Sequence, residues 1–306
     1  MIGIVTNPKA RGLRRDRHLT RRLREIVGPW GQVREAPSRA GLGEVIREYR
    51  DLGVDVLGTC GGDGTNLAVL SEAVRAFRPG ELPTFLFLRG GTVNTAANEL
   101  GIRGHPEEIL GRLMRRYRRR LPLPTVQRGL LGVQSRHGFL FGAGMAGRFF
   151  EAYYGGPVGG VAWASVLAAR IIGSAFIGGG FARWIFDPLE AEIVADGVRL
   201  PHGRFSLIIA GTIANAGLGF KPTYRAPEHA DRFQLIASGL TPARLAANTA
   251  RCLRGTKLEG EPHFDLVCQE ARIGFARPQT YTFDGDLFRD GQVTIVAGPR
   301  ISVAAV

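Results

Sequence analysis

Between residues 3 and 120, short apolar runs alternate with stretches of helical periodicity, and this alternation leaves few architectures open. Residues 3–6 (GIVT), 54–59 (VDVLGT) and 82–88 (LPTFLFL) read as strands. Residues 18–27 and 42–52 read as helices, and Leu67, Leu70, Val74 and Phe77 mark one face of a third over 66–77. A helix over 93–100 stops at Gly101, and Pro106 opens a last one that ends in arginines. Successive strands separated by helices must run parallel, so an α/β domain with a parallel sheet and helices on both faces is expected.

The pattern changes at residues 121–124 (LPLP). Beyond it come short apolar runs at 130–134, 138–143, 190–195, 205–210, 232–237, 264–268, 271–275, 280–283, 292–296 and 301–304. Asp196-Gly197, His137-Gly138 and Asp290-Gly291 read as tight turns between them. The expectation is a mostly antiparallel, sandwich-like β domain over 125–306, following an α/β domain over 1–124. At 306 residues the chain is long enough for two cores, and 44% hydrophobic with 22% charged residues is the balance of a globular protein.

Cys60, Cys252 and Cys268 are too scattered for a metal pattern or a disulfide framework, which points to a reducing compartment. The opening MIGIVTNPKARG lacks the order of a signal peptide, so a cytoplasmic location is expected. Net charge is +13, concentrated in two runs: Arg14, Arg15, Arg17, Arg21, Arg22 and Arg24, then Arg112, Arg115, Arg116, Arg118, Arg119 and Arg120. These read either as solvated faces or as a surface for anionic lipid, with peripheral membrane association. No aromatic-interleaved basic motif accompanies them, which disfavours nucleic acid. Residues 155–181 are apolar and glycine-rich, but Arg170 and the terminal glycines make a poor membrane span. They read as a buried helix capping the β domain, as the lining of an acyl-chain pocket, or as both.

The strongest local signal is Cys60-Gly61-Gly62-Asp63-Gly64-Thr65, between a strand and a helix. Glycines let backbone approach a phosphate, and the helix that follows presents free N–H groups to an anion. Asp63 suits Mg²⁺ or ribose, and the Thr65 hydroxyl suits a phosphate oxygen; the plainer reading is a strand–helix turn with Asp63 as cap. Arg89-Gly90-Gly91-Thr92-Val93-Asn94 repeats the arrangement at the next strand, and Asn7-Pro8-Lys9-Ala10-Arg11-Gly12 leaves the first. Three such turns on one sheet edge point to a nucleotide. No Walker sequence occurs, and no dinucleotide fingerprint follows the first strand. The Gly142-x-Gly144-x-x-Gly147 run lies in the β region and reads as chance.

Taken in order, Asn7-Pro8…Gly12, Gly61-Gly62-Asp63-Gly64-Thr65, Gly91-Thr92-Val93-Asn94 with residues 98–102, and Asp284-Gly285-Asp286 resemble the diacylglycerol kinase catalytic-domain family, which includes bacterial lipid kinases and sphingosine and ceramide kinases. The second motif is shared with NAD kinases and phosphofructokinases; the ordered set is far more specific. The resemblance implies ATP, with Mg²⁺, against Asn7, Pro8, Lys9, Gly12, Gly61, Gly62, Asp63, Gly64, Thr65, Gly91, Thr92 and Asn94. It also implies a lipid hydroxyl as acceptor, entering a cleft between the domains, with Asp284 as general base and Asp63 and Asp286 near the metal. Diacylglycerol is the family's default substrate, and a ceramide or sphingoid base the nearest alternative. Asp286 stands where Glu is usual, Thr95 where Asp is common, Ala68 where Glu is common, and residues 231–235 have lost the second acid of an Asp-Gly-x-x-Asp segment. Two other readings stay open: a soluble-substrate kinase of the NAD kinase type, and a lipid-binding protein on an inactive kinase scaffold.

Overall fold

The computed structural model describes residues 1–156 and 159–306. Two compact units form: Met1–Arg128 with Ser135–Gly138 and Pro299–Val306, and Gly129–Gln134 with Phe139–Gly298.

The first unit runs β1 (Ile2–Thr6), α1 (Arg11–Arg15), α2 (Leu19–Val27), β2 (Gly31–Glu35), α3 (Arg39–Asp51), β3 (Val56–Cys60), α4 (Asp63–Ala76), β4 (Thr84–Phe87), α5 (Thr95–Glu99) and α6 (Pro106–Arg118). Its sheet has the order β2-β1-β3-β4, all parallel, with Val303 paired beside Phe85 on the far side of β4. The chain steps one way from β1 to β2, then back past β1 to β3 and β4. Right-handed crossovers in opposite directions place their helices on opposite faces, and α2 accordingly packs with α6 while α3 packs with α4. Every residue of β1 and β3 is buried, as strands covered on both faces require.

β2 (GQVRE) escaped the sequence reading because it is an edge strand in which only Val33 is buried, so it carries almost no apolar signal. Its union with β1 is fastened from α3. The Tyr49 hydroxyl is placed to donate to the Ile4 carbonyl at 2.9 Å and the Gln32 carbonyl at 3.2 Å, and a Cβ on Gly3 would fall 2.7 Å from the Tyr49 ring. Tyr49→Phe is expected to lower stability by about 1–3 kcal/mol, because the hydroxyl's bond to the buried Ile4 carbonyl is lost; urea denaturation measures it.

Much of the arginine density is structural. Arg22 bonds both Asp16 and Glu107, while Arg112, Arg116 and Arg118 donate to the carbonyls of Arg103, Pro122 and Ile26. Arg115, Arg116 and Arg118 also close the last turn of α6, where cations oppose the helix dipole.

The second unit is β-rich and antiparallel, with more helix than the apolar runs suggested. After β5 (Thr125–Val133) and β6 (Arg136–Gly138) the chain continues through β7 (Leu140–Gly144), α7 (Met145–Tyr154), α8 (Val161–Ile177), α9 (Gly180–Ile185), β8 (Leu189–Ala195), β9 (Val198–Arg199), β10 (Arg204–Phe205), β11 (Leu207–Gly211), β12 (Phe233–Ser238), α10 (Pro242–Ala247), α11 (Thr249–Arg254), β13 (His263–Cys268), β14 (Glu270–Phe283) and β15 (Asp286–Ala304). The strand order is β13-β12-β11-β7-β14, with β8 and β15 also paired to β14. The runs at 271–275 and 280–283 are one strand, as are those at 292–296 and 301–304.

Of the expected turns, Asp196-Gly197 forms with φ of 45° and 81°, the left-handed pair a two-residue hairpin needs. His137-Gly138 does not; both lie inside β6, and the left-handed residue of that connection is Gln134 (φ 55°). Asp290-Gly291 lies inside β15, opposite the register shift between Gly274 and Gln279 that accommodates Pro278. Gly142-x-Gly144-x-x-Gly147 is a packing corner where β7 turns into α7: a Cβ on Gly147 would fall 2.8 Å from the Thr280 carbonyl oxygen.

The apolar 155–181 stretch becomes mainly α8, which buries Ala164 and packs Leu167 and Ile171 in one core cluster with Ile185, Leu207, Ile209 and Ile236. Residues 157 and 158 lie outside the described residues. Among those described, no helix is long and apolar enough to cross a membrane.

Burial is the leading reason that His137 and His263 both titrate below the ordinary histidine value. Above about pH 6.5 both rings are neutral whether folded or unfolded; below it the unfolded chain takes up protons that the folded chain refuses. Stability should therefore fall as pH drops from about 7 to about 5.5, before most carboxylates titrate. Urea midpoints across that range test this, and the slope should flatten when both histidines are replaced by glutamine.

Candidate nucleotide site

In a parallel sheet of order β2-β1-β3-β4 the connections diverge between β1 and β3, opening a crevice at their C-terminal ends. All three glycine turns emerge there, and they touch. The Gly12 N–H donates to the Gly90 carbonyl at 3.1 Å, and the Asn7 N–H to the Cys60 carbonyl at 3.1 Å. A Cβ on Gly91 would lie 2.3 Å from the Gly62 Cα, and one on Gly90 would lie 2.8 Å from the Gly61 nitrogen. Three backbone segments therefore pack with no room for side chains, which is why glycine recurs at this edge.

Polar side chains fix the corners. Asn7 accepts from the Lys9 N–H at 3.0 Å and donates from Nδ2 to Thr65 Oγ1 at 3.1 Å. Thr65 folds back over Gly61, where a Cβ would meet its Oγ1 at 2.3 Å, and its hydroxyl proton is not needed for the bond from Asn7. Gly62 caps α4, with Asp63, Gly64 and Thr65 in the first turn; Asp63 Oδ2 accepts from the Thr95 N–H at 3.1 Å and so ties α4 to the start of α5. Asn94, left-handed at φ 54°, exchanges bonds with Gly91 in both directions. Lys9 and Thr92 are exposed, and Pro8 is half-buried.

Three contributors escaped the list of site residues. Gly90 accepts the bond from the Gly12 N–H that joins the first and third turns. Arg89, at φ 50°, sends its guanidinium to Asn98 and to the Ile102 carbonyl, bracing the third corner. Asn66 accepts from the buried Thr59 hydroxyl at 2.5 Å and locks α4 to β3. Arg89-Gly90 was visible as part of the corner; the Thr59–Asn66 pair left no local signal. Cys60 lies beneath the rim with its thiol pushed up to about 12 by burial, which marks it as packing and not as a nucleophile.

In the second unit Asp284-Gly285 forms the two-residue turn between β14 and β15, at φ of 48° and 89°. The Asp284 carboxylate accepts from the Leu140 N–H at 2.8 Å and the Phe139 N–H at 3.1 Å, tying this turn to the start of β7. Asp286 is the first residue of β15. Gln234, in the segment that departs from the family pattern, donates to Asp265 at 2.6 Å, and Tyr224 donates to the same carboxylate at 2.8 Å. Among the described residues no group of three or more His, Cys, Asp or Glu is disposed to hold a metal ion.

Comparison with known proteins agrees with this geometry. Residues 1–126 match the family model of the diacylglycerol kinase catalytic domain. No curated protein matches the chain. Among solved structures, a Bacillus anthracis str. Sterne protein provisionally named a diacylglycerol kinase is similar, with a TM-score of 0.71 at 15% identity, covering 99% of this chain and 94% of that one. A diacylglycerol kinase of the same organism gives 0.65 at 13% identity, with coverage of 99% and 96%. Yeast NADH kinase in complex with NADH gives 0.52 at 11% identity, with coverage of 100% and 83%. At these identities the structures speak for the fold. The family match and the sheet-edge architecture lead to one conclusion: residues 1–126 are similar to the diacylglycerol kinase catalytic domain, and the chain shares the fold of the solved structures that bear that name.

Proposed function

We propose that the chain is an ATP-dependent lipid kinase that phosphorylates the hydroxyl of a lipid alcohol, diacylglycerol first and a ceramide or sphingoid base next. The observation that carries this reading is the convergence of Gly12, Gly61-Gly62 and Gly90-Gly91 at the β1/β3 crevice, where backbone packs on backbone too closely for a Cβ at Gly12, Gly90 or Gly91. Its backbone, together with the N-terminus of α4, suits the phosphates of a nucleotide. ATP supplies the γ-phosphoryl group. Gly62 and the first turn of α4 orient phosphate oxygens, and the Thr65 hydroxyl donates to one of them. Asp63 and Asp286 would be the carboxylates for the Mg²⁺ that accompanies ATP, an ion that would offset phosphate charge. Asp284 takes the proton of the lipid hydroxyl as its oxygen bonds to the γ-phosphorus and the bond from that phosphorus to the β–γ bridging oxygen breaks, releasing ADP. The family whose model residues 1–126 match supports a lipid as acceptor.

The likeness to yeast NADH kinase keeps one second reading, a soluble dinucleotide acceptor. Labelled phosphate from ATP should enter an organic-extractable product when lipid alcohols are offered; label found only in a phosphorylated dinucleotide would reject the lipid reading.

A further inference from the structure

The outer face of α8 is apolar where a helix against water should be polar. Its inner face is accounted for by buried Ala164 and by Leu167 and Ile171 in the core of the second unit. On its other side Val161, Val166, Phe176 and Ile177 are 49%, 58%, 64% and 88% exposed, and Trp184 of α9 is 41% exposed. A helix apolar all round belongs in a core or in a membrane environment, and α8 is half in a core. Its tip is bare: Ile177 runs into Gly178-Gly179-Gly180, where an added Cβ would meet nothing within 4 Å.

Charge makes the pattern specific. Residues 152–186 contain no Asp or Glu, and their only charged residues are Arg170 and Arg183. Both arginines are exposed; Arg170 lies 4.1 Å over the Phe181 ring, and Arg183 neighbours Trp184. Long cationic side chains laid along apolar surface, beside interfacial aromatics and without an acid to repel phosphate, suit the boundary between lipid headgroups and acyl chains. A second copy of this chain fits poorly, because a self-complementary contact would set arginine-only rims against each other. The 17 residues of α8 span about 26 Å, and the helix falls short of a crossing.

We propose that the α8–α9 hairpin is a membrane-interface anchor that seats the second unit on an anionic bilayer. Phe176, Ile177 and Trp184 enter the headgroup boundary, and Arg170 and Arg183 meet lipid phosphates. The anchor deepens the lipid-kinase reading and rests on it for its purpose, since it would bring the enzyme to a substrate held in a bilayer.

The test is co-sedimentation of the full chain with vesicles of phosphatidylcholine, alone or mixed with phosphatidylglycerol, and light scattering without lipid. The wild type should bind the mixed vesicles more tightly, and Phe176→Glu with Ile177→Glu should weaken that binding by more than about tenfold. Both positions are exposed, so circular dichroism should show an intact fold. Failure of the wild type to bind, equal binding by the double variant, or a wild-type dimer that the double variant dissolves would each overturn the anchor. The readout is separable from catalysis: phosphate transfer to dispersed lipid without vesicle binding refutes the anchor alone, and vesicle binding without transfer refutes the kinase reading alone.

Discussion

Asp284→Asn is expected to lower phosphate transfer by about 10²–10⁴-fold, the usual contribution of a positioned general base, while nucleotide affinity stays near wild type. The substitution is nearly isosteric, and asparagine is favoured at a left-handed hairpin position. Its carbonyl oxygen still accepts from the Phe139 and Leu140 N–H groups that the carboxylate now holds. The fold is thereby kept and only the proton acceptor is removed. Asp284→Ala removes the acceptor and both backbone bonds, and should cost about 1–3 kcal/mol of stability as well. Labelled-phosphate assays with urea denaturation separate the two roles. If Asp284→Asn turns over like the wild type, the residue serves the hairpin and some other group takes the proton.

Gly91→Ala should weaken nucleotide binding with little change in secondary structure. The new methyl would lie 2.3 Å from the Gly62 Cα, so two corners must part, and each is braced: Gly62 as cap of α4, Gly91 by its bonds to Asn94. Overpacking of this kind costs about 1–3 kcal/mol, here concentrated on the rim proposed to hold phosphates. An affinity loss of about tenfold or more is expected. The same change at Gly53, at φ 67° but with open space around it, should cost stability yet leave affinity alone. Calorimetric titration with ATP measures both; equal affinity for Gly91→Ala and wild type would place the phosphates elsewhere.

The sequence was most readable where one local rule ruled. β1 and β3 are wholly buried, so their apolar runs stood out, and glycine doublets at strand ends announced the corners. β2 was missed because one buried valine cannot mark an edge strand. His137-Gly138 and Asp290-Gly291 have turn chemistry by letters, but strand pairing holds both extended, in β6 and β15. The bonds from Phe139 and Leu140 to Asp284 are likewise long-range; sequence placed the turn and said nothing of what its carboxylate holds. Of the helices of the second unit, α8 was legible in the apolar 155–181 stretch, while α7, rich in small and aromatic residues, was not read.

The pairing of Val303 with Phe85, together with the bonds from Ala305 to Pro124 and from Arg112 to the Val306 carbonyl, has a consequence for biosynthesis. During vectorial synthesis β4 emerges from the ribosome long before its outer neighbour exists. The nascent α/β unit must wait with a naked strand edge, a template for mispairing, while the whole β-rich unit is translated. A fragment cut at the limit of the family match would keep that edge permanently and should aggregate, whereas the same fragment supplied with a peptide of residues 299–306 has the means to close it.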